Sequence, residues 1–481
     1  MKICASLTNS DLESSLLSCS LAESQGADMV EIRFDFQKSI CPDDYTDVNI
    51  PKIATLRDAF EGGLFTGTKE EKMKILSSAA DSGFDYIDIE LNEHTEIFAT
   101  CAKACKIICS HHDFIKTPPP AEIVSTLRDA QEFGDIAKAA YHVEGINDLL
   151  SLKAASEAAH DEKIKFVLIG MNELGTITRV RANVMKSEFT FAALSDETKS
   201  ASGQLTVQDM KRLGNDPIVC GVIGDPISHS MSPAMHNAFM LSSGIQGIYL
   251  PFRFSSDELS LLPDFMRSYE IKGVNVTIPH KENVLEFLDI LTDSVKETNA
   301  ANTILFEDDH LKGYNTDIQG FDYAFCDVPL KGKNVLIAGS GGAAAACCSF
   351  LHAKEAKINI HSRNSKKACS MADRFKGMYL FENELHEHRF DVLINCTPLG
   401  MKGFPSDLPF PKECIQEGMI VMDVVYNPKR TPLLIEAESR GASIIPGIEM
   451  LIGQAMESSL IFTGKGVNKG SIHDIHEMFC A

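Results

Sequence analysis

Lys138 stands in the run "IAKAAY", between alanines, and two adjacent histidines, His111 and His112, close the earlier run "KIICSHHD". A lysine inside a strand, among small residues and near arginines, is pushed toward the neutral amine, which is its nucleophilic form. A neutral lysine attacks a ketone and gives an iminium. The iminium withdraws electrons and acidifies the adjacent carbon. An imidazole nearby removes that proton and later delivers one to a leaving group. The Lys–His pair therefore points to Schiff-base chemistry, with aldolase, transaldolase and dehydratase all open. Adjacent side chains on a strand face opposite ways, so at most one of the two histidines shares a site with Lys138.

The elements that must hold these groups are legible as eight short apolar runs before about residue 195: "KICASL", "MVEIRFD", "KIATLR", "YIDIEL", "KIICSHHD", "IAKAAY", "KFVLIGM" and "FTFAAL". Helical patterns such as "NDLLSLKAASEAAH" follow most of them. Strand–helix units in this number fit a (β/α)8 TIM barrel, with a doubly wound sheet as the structural alternative. Alternation within the runs sorts the faces. Val30, Ile32 and Phe34 share one face, and Glu31, Arg33 and Asp35 the other. Asp88 and Glu90 oppose Ile87 and Ile89, while Ser110 and His112 oppose Ile107, Cys109 and His111. The apolar faces pack on helices, so Glu31, Arg33, Arg57, Glu90, His112 and Lys138 line the interior near its C-terminal mouth. So many charges at one barrel end favour a functional site over a structural network, which desolvation makes costly.

The bulk properties narrow the partners. The chain has 481 residues and a net charge of -22, which argues against a nucleic-acid or anionic-membrane partner. Small anionic substrates answer to local charge only. Of the 14 cysteines, Cys101, Cys105 and Cys109 are spaced four apart but lack a fourth ligand and a loop context, so no metal is expected. Scattered, buried-looking cysteines and the absence of a signal-peptide pattern at "MKICASLTNSD" lead to a cytoplasmic assignment.

The first half resembles type I 3-dehydroquinate dehydratase over nearly all of 1–212. The carriers are "EIRFD", "TLRDAFEGG", "IDIEL", "SHHDFIKTP", "DIAKAA", "GTITRV" and "SASGQLT". The resemblance implies Lys138 as the Schiff-base lysine, His112 as general acid/base and Glu61 as the carboxylate that orients the histidine. It implies substrate contacts from Ser6, Glu31, Arg33, Arg57, Arg179, Ser200 and Gln204, with Arg179 suited to a bidentate grip on a carboxylate. It implies no cofactor in this half. His111 stands where Asn is common, and Ser202 where Pro is usual.

The second half opens after the linker-like "LGNDP", 213–217. In "SHSMSPAMHNAF", Ser232 before Pro233 reads as a helix N-cap, whereas Ser230 has no such structural reason. Asn275 and Thr277 share a face of "GVNVTIPHKE", with Lys281 just past the strand end and "NTD" at 315–317 after another strand. Such strand-end groups suit a polyol site in an open α/β sheet. "KNVLIAGSGGAAAACC" then reads as strand, glycine turn and helix, with Gly339-x-Gly341-x-x-Ala344 as a dinucleotide fingerprint. It also explains why 334–353 carries no charge without being a membrane span. The next strand ends in Ser362 and Arg363, with Lys366 and Lys367 following, where NAD would call for an acid; this suits the 2′-phosphate of NADP.

This half, 217–481, resembles shikimate dehydrogenase through "SHSMSP", "NVTIPHKE", "AANTIL", "GYNTDIQG", "GSGGAAAA", "INCTPLGM", "MDVVYNP" and "GIEMLIGQA". The resemblance implies a substrate domain from 217–320 with helices in 450–481, and a Rossmann NADP-binding domain over 330–449. It implies Lys281 and Asp317 as the catalytic pair and substrate contacts from Ser230, Ser232, Thr277, Asn302 and Gln454, with Asn275 and Asn315 as weaker members. Cofactor contacts would come from Gly339, Ser340, Gly341, Gly342 and Ala343, from Ser362, Arg363 and Lys366, and from Asn395, Thr397, Val424 and Gly447. Together the halves imply dehydration of 3-dehydroquinate to 3-dehydroshikimate, then NADPH-dependent reduction to shikimate. The competing readings are an NAD-dependent quinate/shikimate dehydrogenase in a degradative role, a Schiff-base aldolase, and a catalytically silent metabolite sensor.

Overall fold

The eight apolar runs form eight strands in a computed structural model that describes residues 1–93, 95–199, 202–467 and 469–480. They are β1 (Lys2–Leu7), β2 (Met29–Arg33), β3 (Lys52–Thr55), β4 (Tyr86–Glu90), β5 (Lys106–Asp113), β6 (Ile136–His142), β7 (Phe166–Met171) and β8 (Phe189–Ala192). The sheet order is β7-β6-β5-β4-β3-β2-β1-β8, with parallel pairing between neighbours. Between β7 and β8 the Glu188 amide donates to the Phe166 carbonyl at 2.9 Å and the Leu168 amide to Ser187 Oγ at 3.1 Å, so the barrel is nearly closed.

Strand alternation fills the interior in layers. Cys4, Met29, Ile53, Ile108, Ile136, Val167 and Phe189 form an apolar floor. The next inward positions hold Ser6, Glu31, Thr55, Asp88, Ser110 and Lys138, and above them Glu90 and His112. One reading of the sequence needs correction. β2 stops at Arg33, and Phe34–Phe36 turn as a short 3-10 helix. The cause is a two-bond grip of Arg33 on Asp35, at 2.8 and 2.7 Å, which takes Asp35 out of the strand alternation.

The chain divides into two compact units, 1–217 with 251–254 and 264–270, and the remaining residues. Two further sheets follow, both in the second unit except for 251–253 of one strand. The first contains β9 (Ile218–Gly224), β10 (Gly247–Arg253), β11 (Gly273–Val276), β12 (Ile290–Leu291), β13 (Thr303–Glu307) and β14 (His310–Tyr314) in the order β10-β9-β11-β13-β14-β12. The second contains β15 (Asn334–Ala338), β16 (Lys357–His361), β17 (Met378–Tyr379), β18 (Val392–Asn395), β19 (Ile420–Asp423) and β20 (Ser443–Ile445) in the order β17-β16-β15-β18-β19-β20. Neighbouring strands in it pair in parallel. This is the doubly wound dinucleotide-binding order, whose switch point lies between β15 and β18.

The charge-free stretch at 334–353 is β15 and the helix Gly342–Ala353, whose residues 344–351 are all buried. Among the described residues no helix is long and apolar enough to cross a membrane. The expected N-cap at Ser232 is not formed. The helix Ser232–Ser242 begins at Ser232 itself, and Ser230 Oγ accepts the Ser232 amide at 3.3 Å. Ser230 therefore has the structural reason that its sequence context did not reveal.

Candidate active sites

In the barrel, β6 aims Lys138 inward, and only 5% of the residue is exposed. Its Nζ donates to Asp88 Oδ2 at 2.8 Å, lies 3.6 Å from Glu31 Oε1 and sits 4.5 Å from the Phe191 ring centroid. Asp88 is the hub of this layer. It also accepts from Arg57 Nη2 at 2.7 Å and Ser110 Oγ at 2.6 Å. Burial alone would raise the Asp88 carboxyl, but the Arg57 and Lys138 charges, with hydrogen bonds from Lys138 and Ser110, hold it far below the usual carboxylate range. Glu31 is fixed by Ser6 Oγ at 2.6 Å and Thr55 Oγ1 at 3.0 Å.

His112 projects from β5 into the same interior, with its Nδ1 3.0 Å from Glu61 Oε2. Burial, and then the Arg57 and Lys138 charges, hold the imidazole well below its ordinary value, so it is neutral near pH 7. Burial also pushes the Glu61 carboxyl up to about 7, with Arg57 and Lys72 opposing and Glu90 and Asp88 adding. In the tautomer that donates Nδ1–H to Glu61, Nε2 is left as the basic nitrogen. His111 faces the other way, its ring 5.9 Å from Tyr141. Arg179 is buried and donates Nη1 to the Gly170 carbonyl at 2.8 Å, while its Nε has no partner. No carboxylate pairs with it among the described residues, and burial lowers it to about 10.

In the second unit a cleft of about 1200 Å3 separates the two sheets. Ser230, Ser232, Thr277, Lys281, Asn302, Asp317 and Gln454 line one part of it. Gly339–Ala343, Ser362, Arg363, Lys366, Thr397, Val424 and Gly447 line another. Lys281 Nζ meets Asp317 Oδ2 at 2.5 Å, and Asp317 Oδ1 accepts from Asn302 Nδ2 at 2.7 Å. Asn302 Oδ1 in turn accepts the Thr316 amide at 2.7 Å, which fixes the start of the helix Asp317–Ala324.

The glycine turn meets the demands of a dinucleotide. Gly339 has φ +121° and lies against the Cys396 carbonyl, so a side chain there is strained. A Cβ on Gly341 would meet nothing within 4 Å, which leaves the first amides of the helix Gly342–Ala353 open to the cleft. A Cβ on Gly342 would come within 3.3 Å of Lys281 Cβ, so this turn and the catalytic candidates are in near contact. Ser340 and Ser362 hydroxyls are 2.9 Å apart, and exposed Arg363 follows just past the end of β16, with no acid in the ribose position.

A family pattern described as Type I 3-dehydroquinase matches residues 3–215, and one described as Shikimate dehydrogenase substrate binding domain matches 222–304. The chloroplastic bifunctional 3-dehydroquinate dehydratase/shikimate dehydrogenase of Arabidopsis thaliana is 32% identical over 501 aligned positions, which cover 96% of this chain and 82% of that protein. The chain belongs to this family. As a bifunctional dehydroquinate dehydratase/shikimate dehydrogenase it joins a lyase to an oxidoreductase of the shikimate pathway. The second half is also 40% identical to the NADP(+) shikimate dehydrogenase of Methanothermobacter thermautotrophicus, over 51% of this chain and 91% of that protein. A Thermus thermophilus shikimate 5-dehydrogenase crystallised with NADP(H) and shikimate matches at TM-score 0.51 and 30% identity, over 54% of this chain and 99% of that one. A shikimate dehydrogenase in complex with NADP+ matches at TM-score 0.51 and 34% identity, over 55% and 96%.

Several expected residues sit differently from their sequence reading. Lys138 is crowded by carboxylates, and Asp88 bridges it to Arg57. Arg57 spends its guanidinium on Ser110, Asp88 and Glu90, at 2.8, 2.7 and 3.1 Å. Asn395 is fully buried and bonded to Thr397, Leu399 and Asp423, so it shapes the loop after β18 from beneath. Asn315 is likewise buried, bonded to Thr298 and the Ala300 carbonyl, whereas Asn275, bonded to Tyr249 and Thr303, lines the cleft as expected of a site residue. Gln204 is buried, and Ser200 lies outside the described residues. The sequence reading put Asp88 on the polar face of "YIDIEL" but gave it no role. It passed over Lys72 entirely, although Lys72, Leu76, Ala79 and Ala80 form one buried stripe of the helix Lys69–Asp81.

Proposed function

We propose that Lys138 attacks the ketone of 3-dehydroquinate and forms an iminium with loss of water. His112 Nε2 then removes a proton from the adjacent carbon and returns it to the departing hydroxyl, so one water leaves. Hydrolysis of the iminium frees Lys138 and releases 3-dehydroshikimate. Glu61 keeps the imidazole oriented, and Arg179 takes the substrate carboxylate. Attack requires the neutral form of the Lys138 amine. The observation that carries this reading is that Lys138 and His112 face one barrel interior, each held by its own carboxylate. Borohydride added with dehydroquinate should reduce the iminium and leave a stable adduct on the Lys138 peptide, with the dehydrogenase untouched. Absence of any adduct defeats the iminium route, and an adduct on another lysine defeats Lys138.

For the second step, the Gly339–Ala343 turn would hold the pyrophosphate of NADP, and Ser362, Arg363 and Lys366 would hold its 2′-phosphate. Bound NADPH supplies the hydride. Lys281, steadied by Asp317, gives the proton to the substrate oxygen, and Ser230, Ser232, Thr277, Asn302 and Gln454 grip the hydroxyls and carboxylate. The open amides beside Gly341 and the basic residues just after β16 support this choice of cofactor. Initial rates with NADPH should far exceed those with NADH, and Arg363→Ala should narrow the gap; an NADH preference in the wild type would refute it. We assign 1–212 to the dehydratase and 217–481 to the dehydrogenase, acting in a reducing compartment that keeps the free cysteines reduced, the cytoplasm in our reading.

A further inference from the structure

We propose that Lys72, outside the reaction pocket, is the positioning residue that sets the Glu61–His112 pair for dehydration. Lys72 is 1% exposed and lies on the helix Lys69–Asp81. Its Nζ donates to Glu90 Oε2 at 2.6 Å, Asp58 Oδ2 at 2.8 Å and Glu93 Oε1 at 2.9 Å. Three carboxylates with oxygens within 4.8 Å of one another would suit a metal ion, but here the ammonium group occupies their focus.

Two of those residues hold the turn that carries Glu61, Asp58 through its backbone and Glu90 through its carboxylate. The Asp58 carbonyl accepts the amides of Glu61 at 3.0 Å and Gly63 at 2.9 Å. Glu90 Oε1 accepts the Asp58 amide at 3.2 Å and lies 3.1 Å from Arg57 Nη1. Lys72 thus ties Asp58 and Glu90 together, and through them fixes the 57–63 turn against β4. Glu61 hangs from that turn, 3.0 Å from His112. Without the ammonium, Asp58, Glu90 and Glu93 repel one another. Asp58, the most exposed of the three, is the one free to swing out and release the turn.

The electrostatics point the same way. Burial disfavours the Lys72 cation, yet Glu90, Asp58 and Glu93 raise its pKa above the ordinary value. Around Glu61 stand Arg57 from the end of β3, Asp88 and Glu90 from β4, His112 from β5 and Lys72 from the helix; Arg57 and Lys72 favour its ionised form. Loss of Lys72 therefore moves Glu61 still further up and leaves it protonated where the wild type is ionised.

The inference rests on His112 and Glu61 being the acid/base pair, and His112→Ala tests that separately. Lys72→Met should lower dehydratase kcat by about 100-fold with KM little changed, because a small misplacement of an acid/base group has effects of this size. The acid limb of kcat against pH should move to higher pH, Lys72→Arg should restore most of the rate, and dehydrogenase activity of the same chain should stay at wild-type level. If Lys72→Met does not fold, Asp58→Asn cuts the same tether without burying an unpaired cation and should lower kcat in the same sense. Wild-type kcat and an unmoved acid limb in a folded Lys72→Met or Asp58→Asn protein overturn the proposal. An inactive His112→Ala beside such a result leaves the acid/base assignment standing, while an active His112→Ala removes that assignment first.

Discussion

At the residue scale, the two histidines separate by what each faces. His112 meets Glu61 inside the barrel, and His111 packs toward Tyr141 outside it. His112→Ala should therefore lower dehydration by roughly 10²- to 10⁴-fold, the usual contribution of a general acid/base, and leave the dehydrogenase unaffected. His111→Asn should leave both rates near wild type; a greater loss from His111→Asn would reverse the assignment. Glu61 gives a pH test. Its carboxyl is raised in the folded chain from 4.5 to about 7, so the folded state holds this proton longer than the unfolded state. The stability this contributes is full below pH 4.5 and lost as pH rises through about 7. Glu61→Gln, which carries no such charge, should gain in Tm over the wild type as pH is raised from 5 to 8, while its dehydration falls. A constant Tm difference across that range contradicts the raised carboxyl.

At the scale of elements, the glycine turn between β15 and the helix Gly342–Ala353 combines two constraints. A Cβ on Gly341 would meet nothing within 4 Å, whereas one on Gly342 would close on Lys281. Gly341→Val should raise KM for NADPH with dehydratase activity intact, because the branched side chain enters the space beside the helix amides. Gly342→Val should lower kcat as well, through the Lys281 stem; equal effects of the two on KM alone contradict this division. This turn, the eight barrel strands and the face of His112 were legible because each follows from a short local pattern: strand alternation, or glycines between a strand and a helix. What escaped was set by distant partners. Lys72 sits in "KEEKMKIL", where a lysine among charges reads as a solvated face. Its burial depends on Asp58, Glu90 and Glu93, which come from other elements. Arg57 and Lys138 look alike as barrel cations, but Asp88 takes both, and only the closed sheet brings Asp88 between them. The end of β2 depended on the Arg33–Asp35 grip, and the start of the helix at Ser232 on Ser230.

At the scale of the whole molecule, a chain with net charge -22 concentrates local cations at its candidate sites: Arg179 in the barrel, and Lys281, Arg363 and Lys366 in the cleft. Each candidate site draws its residues from one of the two compact units. A tether raises the local supply of the intermediate without requiring it to stay bound. An equimolar mixture of Lys138→Ala and Lys281→Ala proteins should therefore convert dehydroquinate to shikimate with NADPH after a lag, as the intermediate passes through solution; no turnover in the mixture would mean that both activities must reside in one chain. The most direct test of the two-step account is NADPH consumption on addition of dehydroquinate alone. Wild-type protein should oxidise NADPH, and Lys138→Ala should not until 3-dehydroshikimate is supplied, when its rate should match the wild type. NADPH loss from dehydroquinate in Lys138→Ala at the wild-type rate would contradict the account.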